Sequence, residues 1–194
     1  MNPRAWAVAV LAAGLSMVPI APVTTAAAGG GATVDVVHNS FSPRTVRVRV
    51  GGSVTWRFQD AMTHDATSTQ GFWASGPKAR GGTYAHRFTS SGSYPYLCTI
   101  HPSMRGLVKV PVSATGSPGV GWKLRWSTAA GASGTTFDVQ VRKPGSSVWK
   151  PFRTDTTRPT ARFNPARSGK YAVRARTSDG QSSGWSPAKT LRVS

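Results

Sequence analysis

From Thr33 onward apolar side chains recur at every second position, the period of a strand with one buried face. Val46, Val48 and Val50 alternate with Arg47 and Arg49, and Val54-Thr55-Trp56-Arg57-Phe58 resumes the pattern after Gly51-Gly52. A glycine pair between two alternating runs predicts a hairpin. Further strands are predicted over Tyr84 to Phe88, Tyr94 to Cys98 and Leu107 to Val112. Between Phe58 and Tyr84 the alternation lapses into Thr, Ser, Gln and Gly, which predicts a long loop region. Ser113 to Gly119 (Ser-Ala-Thr-Gly-Ser-Pro-Gly) has the composition of a short linker. Beyond it the alternation restarts in Trp122/Leu124/Trp126, Phe137/Val139/Val141, Val148 to Phe152, Tyr171/Val173/Ala175 and Leu191/Val193. Short strands at this spacing, with turn signals between them, predict an antiparallel sandwich. The expected fold class is all-β, with two sandwich domains in series.

The segment ahead of these strands has a different character. One arginine, Arg4, precedes an almost unbroken apolar run from Ala5 to Ile20, and Ala26-Ala27-Ala28 follows as a small-residue cleavage site. Gly14, Ser16 and Pro19 interrupt the run, which favours a cleaved signal peptide over a membrane anchor. The expected division is a signal peptide over 1–28, a first domain over 29–113, a linker over 114–119 and a second domain over 120–194. The mature chain is expected to be exported: secreted, periplasmic or associated with the cell envelope.

Composition narrows the chemistry. The 194 residues hold 24 Lys+Arg against 6 Asp+Glu, for a formal net charge of +18. All the acids are aspartates, which leaves little support for paired-carboxylate catalysis. The single cysteine excludes an internal disulfide framework, an iron–sulfur cluster and any multi-cysteine zinc site.

That cysteine lies in the most informative stretch, Tyr94-Pro95-Tyr96-Leu97-Cys98-Thr99-Ile100-His101-Pro102-Ser103-Met104. Cys98, His101 and Met104 put a thiolate, an imidazole and a thioether at i, i+3 and i+6, at the end of a strand. His64 offers a further imidazole from the earlier loop. One Cys and two His in a plane, with a weak axial Met, is the ligand set of a blue-copper electron-transfer site. Thiolate and thioether favour Cu(I), and imidazole suits both oxidation states. Zinc competes, but Met is a poor zinc ligand and structural zinc prefers more thiolates.

The stretches Asn39-Ser40-Phe41-Ser42-Pro43, Gly51-Gly52-Ser53-Val54-Thr55-Trp56, Met62-Thr63-His64 and Gly92-Ser93-Tyr94 through Met104 resemble the plastocyanin/azurin family. The short ligand loop is most similar to that of the amicyanins. The resemblance covers Thr33 to about Val112 and implies a cupredoxin Greek-key sandwich of about eight strands holding one type 1 copper. It implies His64, Cys98 and His101 as equatorial ligands and Met104 as the axial one. Asp65 departs from the pattern, because amicyanin-like proteins commonly carry Asn there to tie the two ligand loops together. A carboxylate near copper would stabilise Cu(II) and lower the potential; alternatively Asp65 caps its own loop. His38 and His86 are expected at the surface, away from the metal.

With four protein ligands no coordination position stays open for substrate, so an enzyme is not expected. The leading expectation is a carrier of single electrons between redox partners, which dock at an apolar face of Ala61, Met62, Ile100 and Pro102 around His101. Phe72 and Trp73 either extend that face or fill the core, and the core is the favoured expectation. Val120 to Trp126, Phe137 to Arg142, Gly169 to Arg176 and Gly184 to Pro187 resemble a fibronectin type III domain, with Trp126 as its core tryptophan and Tyr171 as its corner tyrosine. Residues 114–194 carry fourteen basic and three acidic side chains. Arg142, Arg174 and Arg176 are expected to form a basic stripe, which either is a solvated face or binds an anionic envelope polymer or lipid surface. No specific nucleic-acid partner is expected. The alternative is a copper-binding or adhesion protein with structural or stored metal and the basic domain in the main role.

Overall fold

The computed structural model describes residues 31–194, so the signal peptide expected over 1–28 lies outside the described residues. All regular secondary structure among the described residues is β. The first half contains β1 (Gly31–Val37), β2 (Ser40–Ser42), β3 (Thr45–Arg47), β4 (Ser53–Phe58), β5 (Thr67–Ser68), β6 (Thr83–Arg87), β7 (Gly92–Leu97) and β8 (Arg105–Val110). They form two four-stranded sheets, β2-β1-β4-β6 and β3-β8-β7-β5. The inward positions of both meet around Val34, Val36, Trp56, Phe58, Tyr96 and Val108, all essentially without solvent contact. Tyr96 meets Trp56 edge-on at 5.4 Å and lies opposite Gly106 on β8. A Cβ at Gly106 would stand 2.1 Å from the Tyr96 ring, so only glycine lets that ring cross the strand.

The hairpin expected around Gly51-Gly52 does not form. β3 pairs in parallel with β8, whereas β4 pairs in parallel with β1 and antiparallel with β6, so the two runs lie in opposite sheets. Gly51, at φ +85°, helps turn the chain across the sandwich from one layer to the other. Val46, Val48, Val50 and Val54 are all buried in the same core from two sides. Alternation reports which face is buried; it does not say which strand is the neighbour.

His86, expected at the surface, is half-buried on β6, stacked on Trp73 at 5.1 Å and edge-on to Phe88. Burial holds its pKa below the ordinary 6.5. The unfolded chain therefore takes up this proton first, and stability should fall as pH drops below about 6.5. His86→Phe, which keeps an aromatic ring against Trp73, should remove that part of the loss. Urea midpoints of the two proteins at neutral and mildly acidic pH test this. Trp73 lies in the core as expected, and Phe72 packs half-buried against it. His38 is exposed in the β1–β2 turn.

The second half contains β9 (Ser113–Ser117), β10 (Gly121–Arg125), β11 (Thr135–Arg142), β12 (Trp149–Thr156), β13 (Thr160–Phe163), β14 (Gly169–Asp179), β15 (Gln181–Ser182) and β16 (Lys189–Val193). One sheet runs β13-β10-β9; in the other, β11 lies between β12 and β14, and β14 also pairs with β15 and β16. Between them lies a second core of Leu124, Trp126, Phe137, Val139, Tyr171, Val173 and Leu191. The Tyr171 hydroxyl donates to the Arg167 carbonyl, 2.8 Å away, and pins the turn before β14. The stretch expected as a linker is not one: Ser113–Ser117 is strand β9, in register with β10 from Ser113↔Arg125 to Ser117↔Gly121. It escaped the sequence pattern because it is an edge strand whose Ser113, Thr115 and Ser117 lie on the outer face, leaving only Ala114 and a glycine on the core side. At Gly116 the backbone passes so close to β10 that a Cβ would stand 2.2 Å from the Gly121 carbonyl oxygen.

The two cores abut along a polar seam. Ser93 and Gly184 exchange backbone hydrogen bonds of 2.8 and 2.9 Å, Ser91 N–H donates to the Trp126 carbonyl, and Thr128 N–H donates to that of Thr89. The Thr177 hydroxyl donates to the Ser91 carbonyl. Gly92 permits this approach, since a Cβ there would stand 2.6 Å from Ser183 Oγ.

The expected basic stripe is present but largely engaged. Arg176 pairs with Asp138 at 2.9 Å, and Arg174 donates twice to Gln140 Oε1. The Arg174 guanidinium also lies over the Trp149 and Trp185 rings, 4.3 and 4.6 Å from their centroids, and Arg142 lies over Trp149. Burial, then repulsion from Arg142 and Arg176, lowers the Arg174 pKa. These cations hold indoles and one another's partners rather than an open anion surface.

Candidate metal centre

β7 starts at the seam and ends beside Cys98. Cys98 stands five positions beyond Ser93, about 17 Å along an extended strand. The chain then turns tightly: Met104 N–H donates to the His101 carbonyl at 2.9 Å, and Cys98 N–H donates to the Met104 carbonyl at 3.1 Å. Those two bonds fold Met104 back beside Cys98, and both residues are buried. His64 comes from the opposite loop, where it exchanges backbone hydrogen bonds with Lys78. His64 and Cys98 are fully buried, whereas His101 is half-buried.

Three donor atoms converge here. Cys98 Sγ lies 3.8 Å from His64 Nδ1 and 3.7 Å from His101 Nδ1, and the two Nδ1 atoms are 3.0 Å apart. A point equidistant from all three is about 2 Å from each, close to the bond lengths of a transition metal to nitrogen and sulfur. Two imidazole nitrogens and a thiolate in one plane are the equatorial donors of a blue-copper centre. The residues therefore fit copper.

The surroundings orient these donors. Asp65 N–H donates to Cys98 Sγ at 3.4 Å. The Asp65 carboxylate is buried and does not cap its own loop. It accepts the Thr99 N–H at 2.8 Å through one oxygen and the Thr99 hydroxyl through the other. It thereby ties the His64 loop to the Cys98–Met104 loop. Asp60 Oδ2 lies 3.2 Å from His64 Nε2, an electrostatic contact not aligned as a hydrogen bond. It favours the tautomer with its proton on Nε2 and leaves Nδ1 free to bind metal. The same carboxylate accepts the His38 and Asn39 amides at 2.8 Å each. Burial raises its pKa, but the Asn39 and His38 amides and the nearby imidazoles outweigh that and leave it below the usual value. Asp60 and Thr99 were missed in the sequence. Asp60 lies four residues before His64, a spacing that a search for ligand-supporting carboxylates would find.

Comparison with known proteins agrees with this geometry. The profile of the copper binding proteins of the plastocyanin/azurin family matches residues 31–111. Amicyanin-alpha from Methylorubrum extorquens is 36% identical over 110 residues, spanning 54% of this chain and 87% of that protein. The chain belongs to the plastocyanin/azurin family. It is a copper-binding, amicyanin-like protein with a cupredoxin domain, and not an enzyme. Amicyanin of Paracoccus denitrificans is 35% identical over 88 residues, or 43% of this chain and 67% of that protein. Among solved structures, a purple cupredoxin from Nitrosopumilus maritimus is 28% identical, with a TM-score of 0.39 over 41% of this chain and 98% of that one. The family match ends at residue 111, before β9.

Proposed function

We propose that this protein is an exported carrier of single electrons, with His64, Cys98 and His101 as equatorial copper ligands and Met104 as the axial one. The convergence of Sγ and two Nδ1 atoms on one point carries the reading. Bound copper supplies one-electron exchange between Cu(II) and Cu(I). The protein's part is to hold the donors in one arrangement for both states, through the Asp65–Thr99 tie, the Cys98–Met104 hydrogen bond and the Asp60 contact. Three of the four proposed ligands, His64, Cys98 and Met104, are buried. Only His101 is half-buried, so a partner reaches the metal from its side. Met62 and Ile100 are exposed at 51% and 46%, and Ala61 and Pro102 are exposed beside them in the two ligand loops. Apolar side chains left in water suit brief docking with a redox protein. Amicyanin relatives support export and the use of such a partner.

Ile100→Glu should leave the copper colour intact and slow electron self-exchange roughly tenfold, the effect of spoiling a central docking side chain. NMR line broadening of mixed oxidation states measures that rate. An unchanged rate would move the docking face elsewhere.

The second half is read as a fibronectin type III-like module that attaches the carrier to an anionic cell-envelope polymer or surface. Its sheet order, its buried Trp126 and the Tyr171 hydroxyl bond support the fold, and its fourteen basic against three acidic side chains support the attachment. The seam joins the module to the end of β7 away from Cys98, so attachment would leave the His101 face free.

A further inference from the structure

The stripe of Arg142, Arg174 and Arg176 is occupied by indoles, Gln140 and Asp138, but a second basic face is not. All three carboxylates of the second half, Asp138, Asp155 and Asp179, lie on β11, β12 and β14, in the sheet that carries this stripe. The opposite sheet, β13-β10-β9, has none. On its outer face Lys123 and Arg125 of β10 alternate with the buried Leu124, and Arg162 of β13 lies directly across from Lys123. On the other side of β10, Thr115 faces Lys123 and Ser113 faces Arg125; Thr160 completes the second row from β13. Ser113, Thr115, Lys123 and Arg125 line a cleft of about 190 Å³.

Like charges directly across a sheet are destabilising, so the Lys123–Arg162 pair works against folding unless an anion lies between them. Arg125 spends Nε on the Ser127 carbonyl and Arg162 spends Nη2 on that of Val120, which leaves most guanidinium donors of each free. Successive outward cations on β10 are about 7 Å apart, and hydroxyls flank them. That arrangement offers a line of positive charge with neutral donors beside it.

We propose that the outer face of the β9-β10-β13 sheet binds a linear phosphodiester polymer, whose phosphates lie along Lys123, Arg125 and Arg162. The spacing matches a chain with one charge every few ångströms, and a phosphate diester has two free oxygens that accept from cation and hydroxyl together. The inference rests on the attachment reading above and specifies its partner and surface.

The test titrates the copper-loaded mature chain with poly(glycerol phosphate) at several salt concentrations, with phosphatidylglycerol vesicles as comparison. The triple variant Lys123→Gln/Arg125→Gln/Arg162→Gln should bind the polymer at least about tenfold more weakly. Its log affinity against log salt should be shallower by roughly two, because fewer counterions are released. A control that removes equal charge from the other sheet, Arg142→Gln/Lys150→Gln/Arg153→Gln, should bind within about threefold of the native chain. Cooperative melting and unchanged copper colour verify that both variants are folded, and the first triple should melt no lower than the native chain because it removes the Lys123–Arg162 repulsion. Equal weakening by the two triples, or none by the first, would overturn this surface while leaving attachment standing. No binding of the polymer by the native chain would overturn attachment to phosphodiesters itself, and tighter binding to vesicles than to polymer would make a lipid surface the partner.

Discussion

One equivalent of Cu(II) added to the mature protein should produce an intense visible band, and Cys98→Ser should remove nearly all of it. The band is thiolate-to-copper charge transfer, so it requires the Cys98 sulfur, which lies 3.8 Å from His64 Nδ1 and 3.7 Å from His101 Nδ1. A serine oxygen occupies the same position without that transition. Met104→Leu should keep most of the colour and raise the reduction potential, because a thioether held in the proposed axial position would contribute little to the transition but would favour Cu(II). Absorption spectroscopy and a redox titration read both effects. A colourless complex of the native protein would leave the copper bound in some other manner and would favour storage over electron transfer.

Asp65→Asn should preserve the fold and the colour while raising the reduction potential. The amide keeps both bonds to Thr99: its oxygen accepts the Thr99 N–H, and its nitrogen donates to the hydroxyl, which can also accept. What disappears is a buried negative charge whose own N–H contacts Cys98 Sγ. One charge at about 5–10 Å in an effective dielectric of about 20 is worth roughly 2–3 kcal/mol, on the order of 100 mV for one electron. Asp65→Ala should behave differently. It strands the Thr99 N–H and hydroxyl, lowers stability by about 1–3 kcal/mol and releases the loop that carries Cys98 and His101. Voltammetry and denaturant unfolding of the two variants separate the charge from the tie. A potential unmoved by Asp65→Asn would mean that the carboxylate serves only to join the loops.

The sequence by itself determined the all-β class and pointed to the donor set. Alternation at Val34/Val36, Val46/Val48/Val50 and Trp122/Leu124/Trp126 states which faces are buried, and burial is a local property of each strand. Cys98, His101 and Met104 are legible because one tight loop supplies all three, so their spacing already limits where they can point. His64 stands 34 residues from Cys98, and only the contact between the two loops brings its Nδ1 to the thiolate. Tertiary structure alone decided which strands pair, because hydrogen-bonded neighbours are selected by packing across the whole sandwich. That is why the run expected as a hairpin crosses between sheets, and why an expected linker is the edge strand β9. The same holds for charge. Sequence counts Arg142, Arg174 and Arg176 as equal cations, but the approach of Trp149, Trp185, Gln140 and Asp138 engages them and leaves the open cations on the opposite sheet. A side chain's type is written in the chain, but what it can still bind depends on the neighbours that folding brings to it.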